Sequence, residues 1–476
     1  MQKTRVKRVG ALLVGLTLVA AACGSDDEET EDTEAPAEEA PVETEAMDEE
    51  EASASEPMDE EEAMDEEEAM DEEEAMDEEE AMDEEEAMDE EEADAGAGDG
   101  VLRIGGLLPE TGNLAFLGPP EIAGVNLAVQ DINAAGGVNG ADIEYLPGDS
   151  GDNGDVANAT VDRLLAEDVD AFIGAASSGV SLTVIDKITQ AGKVHFSPAN
   201  TSPTFTDYDD NGLYFRTAPS DVVQGAALAD ILIADGNTTV AYLVLNDAYG
   251  LGLLEFSKGP YEAGGGQVVA EEIYDPQAEN FDAEVNAVVE ANPDGVVIIG
   301  FEETAQILNG LIEAGFGPAD KNVYGTDGNM GNALAGNFDD PTVLDGMKGT
   351  LPGVDVTQLT EFQAALDAID PELEDYSYSA ESYDAIVVMA LAAIVAGSDD
   401  GVAMGAEINE VTRGGTKCAT FEECLPLAEA GEDLDYDGVS GPLEFIDAGE
   451  PSQASILILE FVDGAISVVG SVEGSI

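Results

Sequence analysis

From Val101 onward, short apolar runs alternate with amphipathic stretches along almost the whole chain. The first five segments of this kind are VLRIGGLLP, EIAGVNLAVQDINAAGG, ADIEYLPGD, VANATVDRLLAED and VDAFIGA. Apolar runs that alternate with helical periodicity indicate a parallel β-sheet covered by helices on both faces. The same alternation of apolar runs and amphipathic stretches recurs in TTVAYLVLND, FDAEVNAVVEANP, DGVVIIGF and ETAQILNGLIEAG. Two such sheets, rather than one, fit the length of the region.

Residues 1–23 have a different pattern. The basic stretch MQKTRVKRVG precedes the apolar run ALLVGLTLVAAAC, which is typical of a secretion signal and too short for a permanent membrane span. The small residues before Cys23 resemble the lipobox of bacterial lipoproteins, in which the cysteine is acylated. We therefore expect a lipoprotein signal peptide and a protein anchored by lipid on the outer face of the cytoplasmic membrane. A plain signal peptide cut after the three alanines is the alternative.

Residues 24–100 are almost entirely Glu, Asp, Ala, Met and Pro, with five tandem copies of AMDEEE from Ala63 to Glu92 and no Lys or Arg. Such a tract cannot bury an apolar core, and repulsion between its charges should extend it. We interpret it as a disordered acidic linker that holds the folded region away from the membrane. Binding of cations or of a basic partner is the alternative.

Charge and cysteine content narrow the range of partners. The formal net charge of the chain is −92, which disfavours nucleic acid and anionic lipid surfaces as partners. Only Cys418 and Cys424 lie in the folded region. Because they are close in sequence and the protein is expected to be exported, we predict a disulfide between them.

The residues that follow each apolar run are the candidates for a binding site, because ligands of open α/β sheets lie beyond the carboxyl ends of the strands. In chain order these loops are LPETGNLAFLG, GAASSGVS, SPANTSP, NDAYGLG, GFEET and GTDGN. They are rich in hydroxyl and aromatic side chains and almost free of cationic ones. This composition favours a small zwitterion held by neutral donors and an acid.

The folded region resembles the type I periplasmic binding proteins of the branched-chain amino acid ABC transporter class. The resemblance rests on the order of P-x-T-G, I-G-A-A-S-S-G-V-S, S-P-A-N-T-S-P, F-R-T-A-P, A-Y-G-L-G, G-T-D-G-N and D-G-V-S-G-P-L-E-F. It implies two doubly wound parallel-sheet lobes joined by three hinge crossings, which close on a ligand like a clamshell. We assign lobe 1 to 101–218 with 350–440, and lobe 2 to 219–349 with 441–476.

The resemblance also implies which residues hold an amino acid. Ser178 and Thr201 would bind its α-carboxylate, and the backbone carbonyl of Ala199 would accept from its ammonium. Asp327 matches the acidic residue that completes the ammonium site, and a buried cation requires such a partner. Without the resemblance, Ser178 and Thr201 would be read as helix caps and Asp327 as a turn residue.

Three aromatic residues complete the implied site. Tyr249 stands where the family places an aromatic side chain from the second lobe, and Phe301 does likewise, while Phe116 would line the side-chain pocket. For each of the three, a purely structural role is the alternative. The GFEET loop departs from the family, because it places Glu302 and Glu303 beside Phe301. A second carboxylate would favour a polar or basic ligand, or it would simply face solvent.

A competing motif lies near the end of the folded region. The spacing D-x-D-x-D-G-x5-E of an EF-hand calcium loop is satisfied by Asp433, Asp435, Asp437 and Glu444. However, the Gly-Pro pair before Glu444 would break the exit helix that the motif requires. We treat these residues as a weak candidate for calcium binding, and otherwise predict no metal site and no cofactor.

These observations favour one class of function over two others. We predict a monomeric substrate-binding lipoprotein that delivers an amino acid to an ABC permease and performs no catalysis. A ligand-sensing ectodomain and a binding protein for amides or urea are the alternatives. An extracellular enzyme is disfavoured because no nucleophile, base and orienting residue group together, and because His195 is the only histidine.

Overall fold

The structure is a computed structural model and describes residues 98–476. The predicted signal peptide with Cys23 and the acidic linker as far as residue 97 lie outside the described residues. The remainder contains helices and strands in alternation, as the apolar pattern predicts.

The strands are β1 (Arg103–Leu107), β2 (Glu144–Leu146), β3 (Ala171–Gly174), β4 (Val194–Ser197), β5 (Tyr214–Arg216), β6 (Thr239–Leu245), β7 (Gln267–Tyr274), β8 (Gly295–Ile299), β9 (Asn322–Gly325), β10 (Lys348–Pro352), β11 (Thr416–Cys418), β12 (Leu434–Tyr436), β13 (Gln453–Val462) and β14 (Ala465–Ser475). The α-helices are α1 (Gly118–Ala135), α2 (Gly154–Ala166), α3 (Ser178–Gln190), α4 (Asp221–Ala234), α5 (Ala248–Ala263), α6 (Asp282–Ala291), α7 (Thr304–Glu313), α8 (Asn332–Ala335), α9 (Thr360–Ile369), α10 (Ser379–Ala396), α11 (Gly401–Ile408) and α12 (Phe421–Ala430). Short 3-10 helices cover Pro203–Phe205, Pro341–Leu344, Val356–Gln358 and Glu410–Thr412.

Two sheets define two lobes, as predicted. The sheet of lobe 1 has the order β2-β1-β3-β4-β5, and all of its pairs are parallel. The sheet of lobe 2 has the order β14-β13-β10-β9-β8-β6-β7. Its β13 runs antiparallel to both β10 and β14, so a C-terminal hairpin extends an otherwise parallel sheet. The central strands β3, β6 and β8 are buried along almost their whole length, as strands covered on both faces must be.

Local signals in the sequence explain several helix ends. Ser177 and Asn153 cap α3 and α2 by accepting from backbone N–H groups in the first turn. Helix α1 stops before Gly136, and Gly137 follows with a φ of 76°, a conformation that glycine adopts without strain.

Helix α10 forms the centre of lobe 1. It packs against α1, α11 and α12, and 89% of its 18-residue window is buried. Its mean hydropathy of 1.6 and its length would also suit a membrane span. The burial of this helix within lobe 1 explains its composition without a membrane.

The chain passes between the lobes three times. The first crossing lies between β5 and α4, where the sequence boundary is placed, after residue 218. The second follows β10, because that strand pairs with β13 as far as Pro352, and so it lies beyond the boundary predicted at 349. The third precedes β13: Phe445 is still buried in the core of lobe 1, beyond the boundary predicted at 440.

One buried ion pair ties the first crossing to the third. Arg216 at the end of β5 and Glu450 before β13 are each 1% exposed, and the guanidinium Nε donates to Glu450 Oε2 at 2.7 Å. Nη1 of Arg216 donates to the backbone oxygens of Asn200 and Ser202. The same guanidinium therefore also fixes the loop that follows β4.

Candidate functional site

The predicted strand-end loops meet at one cavity between the lobes. Six of the seven predicted ligand-binding residues line it, together with Leu114, Leu117, Ala176, Ser177, Gly328 and Tyr378; the six are Ser178, Ala199, Thr201, Tyr249, Phe301 and Asp327. The cavity has a volume of about 10 Å³, which is roughly the space of one water molecule. An amino acid can therefore enter only if the lobes move apart.

The lobe 1 wall consists of hydroxyl groups and a helix N-terminus. Ser178, the first residue of α3, is 2% exposed, and its Oγ accepts from the backbone N–H of Ser202 at 3.3 Å. Thr201 is 1% exposed. The caps of the neighbouring helices are Ser177 and Ser202 instead, so the capping alternative for Ser178 and Thr201 does not apply. Free backbone N–H groups at a helix start favour an anion.

Asn200 holds this wall in shape. Its side-chain amide donates to the backbone oxygens of Ala175 and Ala176 at 3.0 and 2.8 Å, and the hydroxyl of Tyr214 donates to its Oδ1 at 2.9 Å. The loops after β3 and β4 are thereby locked together. With Arg216 beneath it, the loop that carries Thr201 is fixed from two sides.

The lobe 2 wall centres on Asp327, which follows β9 and is 5% exposed. Its Oδ1 accepts from Gln224 Nε2 at 2.7 Å and from the hydroxyl of Tyr249 at 2.8 Å, and its Oδ2 accepts from the hydroxyl of Tyr378 at 2.8 Å. Burial raises the pKa of Asp327, and these three donors oppose the rise. Since none of the donors is cationic, the carboxylate is available as the counter-charge of a ligand cation.

Aromatic side chains frame the carboxylate. The rings of Tyr249 and Phe301 stack with their centroids 5.6 Å apart. Tyr378 reaches Asp327 from the start of α10 in lobe 1, from a left-handed backbone conformation with a φ of 59°. Its hydrogen bond therefore joins the two lobes across the cavity.

A larger pocket of about 490 Å³ adjoins the cavity through Phe301 and Gly328, and it is here that the structure places Phe116. The Phe116 ring packs so closely on Gly331 that a Cβ atom there would lie 2.9 Å from it. Leu334, Ala333 and Ala115 add further apolar surface, while Asn113 and Glu302 supply polar groups. The pocket is suited to an apolar side chain.

The two glutamates of the GFEET loop have different surroundings. Glu302 is exposed and lines the larger pocket. Glu303 is turned into lobe 2, where its Oε1 accepts from the hydroxyl of Tyr274 and from the backbone N–H of Phe301, each at 2.8 Å. Neither lines the cavity that contains Asp327.

A second group of carboxyls lies beside the cavity. Burial and the charges of Asp247 and Glu303 raise the pKa of Asp152 to about 7. Burial likewise raises the pKa of Asp247 to about 6. Asp152 belongs to lobe 1, whereas Asp247 and Glu303 belong to lobe 2, so closure brings like charges together across the cleft.

Four residues that line the cavity or contact its walls were not predicted from the sequence: Tyr378, Gln224, Arg216 and Asp221. Tyr378 does not follow a strand, and so the rule that selected the other loops could not select it. Gln224 and Asp221 lie in the first turn of α4, directly after a crossing between the lobes. That position in the sequence could have marked them as candidates, because a helix that starts at a crossing begins beside the cleft.

Three of the four candidate calcium ligands surround a lysine. The ammonium of Lys417 lies 2.9 Å from Asp435 Oδ2, 2.9 Å from Asp437 Oδ1 and 3.1 Å from Glu444 Oε1. These carboxylates raise its pKa. No exit helix follows, because 437–444 are irregular, and Asp433 joins the backbone ladder through its carbonyl, which accepts from Thr416. The carboxylates therefore already have a cationic partner.

Two further residues are structural. Cys418 and Cys424 form the predicted disulfide, with their Cα atoms 5.3 Å apart. His195 is fully buried in β4, where its Nε2 lies 2.7 Å from the carbonyl oxygen of Gly174. Burial lowers its pKa to about 4, which keeps the imidazole neutral near pH 7.

Comparison with known proteins places this geometry in a wider group. The model of the family described as "Periplasmic binding protein" matches residues 101–464. The substrate-binding protein BasB of a chemotactic signal transduction system in Halobacterium salinarum is 26% identical over 375 residues, covering 76% of this chain and 87% of BasB. The leucine-, isoleucine-, valine-, threonine- and alanine-binding protein of Pseudomonas aeruginosa is 29% identical over 301 residues, covering 61% of this chain and 78% of that protein.

Solved structures share the fold. The leucine binding protein LivK of Thermotoga maritima superposes with a TM-score of 0.66 at 21% identity, covering 78% of this chain and 98% of LivK. LivJ of Streptococcus pneumoniae, in complex with isoleucine, gives a TM-score of 0.66 at 22% identity, covering 79% of this chain and all of LivJ.

Two α/β lobes, three crossings and a cavity between them define a solute-binding protein of the two-lobed kind. The chain belongs to the periplasmic binding protein family, and its fold is that of the type I members. Members of this family bind solutes outside the cytoplasm, work with ABC permeases and are not enzymes. The predicted fold class is confirmed.

Proposed function

We propose that this chain is the substrate-binding lipoprotein of an ABC importer. It captures an amino acid in the cavity between its lobes and delivers it to a permease, without chemistry on the ligand. Cys23 carries the lipid anchor, and residues 24–100 form the spacer between membrane and lobes. The ligand is a branched-chain or other aliphatic amino acid, or a related polar one.

The observation that carries this proposal is the opposition of two complementary walls. Asp327, with neutral donors around it, offers a negative charge to an ammonium. Ser178 at the start of α3 and Thr201 offer donors to a carboxylate from the other lobe. An amino acid presents these two groups on one carbon atom, and so it can bridge both walls at once and hold the lobes closed.

The larger pocket supports an apolar ligand side chain. Phe116, Phe301 and Leu334 contribute its apolar surface. Gly328 and Gly331 let the rings of Phe301 and Phe116 pack directly against the backbone. Burying one methylene group contributes about 0.8 kcal/mol, so such a pocket selects for aliphatic bulk. The names of the relatives that bind leucine, isoleucine and valine agree with this assignment.

Thermal denaturation of the purified protein with each common amino acid, with amides and with urea tests the proposal. We expect a leucine-type amino acid to raise the melting temperature by mass action, with a dissociation constant on the order of micromolar. A matched comparison uses 4-methylpentanoate, which is leucine without its ammonium group. If no amino acid shifts the transition, the proposed ligand class is wrong.

Sensing is the second candidate, because BasB belongs to a chemotactic signal transduction system. In that case the closed form would bind a membrane transducer instead of a permease. Uptake of radiolabelled leucine by cells with and without the gene separates the two functions. Unchanged uptake together with lost chemotaxis towards leucine would favour sensing.

A further inference from the structure

Asp221 is a buried carboxyl that the proposed function leaves without a role. It is the first residue of α4 and has 0% exposure. Within residues 98–476, neither of its carboxyl oxygens accepts a hydrogen bond. Burial of a polar group without a partner is costly, and native proteins seldom retain one without a reason.

Its place in the fold connects it to both walls of the cavity. The backbone N–H of Asp221 donates to the carbonyl oxygen of Thr201 at 2.8 Å. One turn along the same helix, Gln224 donates to Asp327. The first turn of α4 therefore contacts the proposed carboxylate anchor of lobe 1 and the proposed ammonium anchor of lobe 2.

The charges around Asp221 favour its neutral form. Burial raises its pKa well above the usual range, and the negative charge of Asp327 raises it further. The Thr201 hydroxyl and the Arg216 guanidinium oppose this rise, while Asp247 adds to it. Two neighbouring carboxyls in a site of low dielectric do not ionise together without a cation. Asp327 accepts three hydrogen bonds, whereas the Thr201 hydroxyl is the one neutral donor that opposes the rise at Asp221, so the proton resides on Asp221.

We propose that Asp221 stores a proton in the ligand-free site and releases it when the ammonium of a ligand binds beside Asp327. The ammonium brings a positive charge to a site with two carboxyls, so that both can then be anionic. The O–H bond of Asp221 breaks, and its proton passes to solvent. This inference rests on the proposed function. Asp221 is a positioning residue, since it does not line the cavity and acts through Asp327 and Thr201.

Calorimetric titration of the full chain with L-leucine, at pH 6, 7 and 8, tests the proposal. Titrations in buffers of different ionisation enthalpy give the number of protons released per leucine bound. We expect a release that approaches one proton, and an affinity that rises with pH by as much as tenfold per pH unit. The analogue 4-methylpentanoate should release none, because it brings no ammonium.

Two variants separate Asp221 from other buried carboxyls. Asp221→Asn keeps the size of the side chain but holds no titratable proton, so its release should vanish and its affinity should become independent of pH. Glu121→Gln is the matched control, because Glu121 is also fully buried with both oxygens unpartnered, but lies in lobe 1 away from the cavity. That control should release protons as the unmodified protein does.

The outcomes distinguish failure of this inference from failure of the proposed function. Leucine binding without proton release, or with equal release by the Asp221→Asn variant, would overturn this inference and leave the proposed function intact. If the Asp221→Asn variant releases as many protons as the unmodified protein, the proton comes from another carboxyl such as Asp247. Failure of every amino acid to bind would overturn both. If the Asp221→Asn variant does not fold, Asp247→Asn decides instead: proton release that persists in that variant supports Asp221, and release that vanishes there overturns this inference.

Discussion

Replacing Asp327 by Asn should weaken amino acid binding strongly while preserving the shape of the site. The carboxylate is 5% exposed and accepts three hydrogen bonds of 2.7 to 2.8 Å, all from neutral groups. In the proposed function it provides the negative charge for the ligand ammonium. A hydrogen bond to a charged group contributes about 1.5–3 kcal/mol, and an unpaired buried cation costs more. We expect a loss of about 2–4 kcal/mol, which corresponds to roughly 30-fold to 900-fold in dissociation constant.

Calorimetry with L-leucine measures this loss directly. The matched control is Asp384→Asn, since Asp384 is also fully buried and accepts hydrogen bonds from Tyr436 and Ser440 in the interior of lobe 1. That variant should lose stability but keep its affinity for leucine. An Asp327→Asn variant that folds normally and binds leucine within twofold of the unmodified protein would show that the ammonium lies elsewhere.

Three further predictions concern pH, the hinge and calcium. The pKa values of Asp152 and Asp247 are raised to about 7 and about 6, so the stability they contribute is complete below pH 4 and lost as the pH rises through 6 and 7. The melting temperature should therefore fall between pH 5 and pH 8, and fall less in the Asp152→Asn, Asp247→Asn double variant. Glu450→Gln should lower the free energy of unfolding by about 3–5 kcal/mol in urea titrations, because Arg216 stays buried without its counter-charge. In calcium titrations, Lys417→Gln should add a binding step that the unmodified protein lacks, because it frees the three carboxylates around the ammonium.

Each of these predictions has a control. Asp294→Asn should leave the pH slope unchanged, because hydrogen bonds from Thr238 already lower the pKa of Asp294 to about 2. Glu271→Gln removes the partner of a half-exposed lysine and should cost less than about 1 kcal/mol; a similar loss in Glu450→Gln would contradict the hinge argument. Lys417→Arg keeps the positive charge, and calcium binding by this variant would show that charge does not block the site.

The sequence predicts which loops meet at the cavity because of a property of parallel sheets. Ser178, Thr201 and Asp327 all follow apolar runs, and the carboxyl ends of parallel strands meet at one edge. Tyr378 could not be found in this way, because it precedes a helix and reaches the cavity through a left-handed backbone conformation. Its partner and its orientation are set by the packing of one lobe against the other.

The crossings show a second kind of limit. Apolar periodicity does not reveal that β10 continues to Pro352, because its last residues are held by pairing with β13, about a hundred residues later in the chain. Pro352 pairs with Ile456, near the start of that antiparallel partner. The same holds for Phe445, whose burial in lobe 1 depends on contacts with distant segments such as β4. Long-range pairing of this kind leaves no local signal.

The attachment of Arg216 to the loop after β4 and to Glu450 has a mechanical consequence. A guanidinium that binds both the loop after β4 and two crossings of the hinge makes these parts rotate together when the lobes move. The loop is already ordered before a ligand arrives, because its conformational entropy was lost during folding. Ligand binding therefore does not carry the cost of ordering it. More of the interaction energy with the ligand is then available to favour closure of the second lobe.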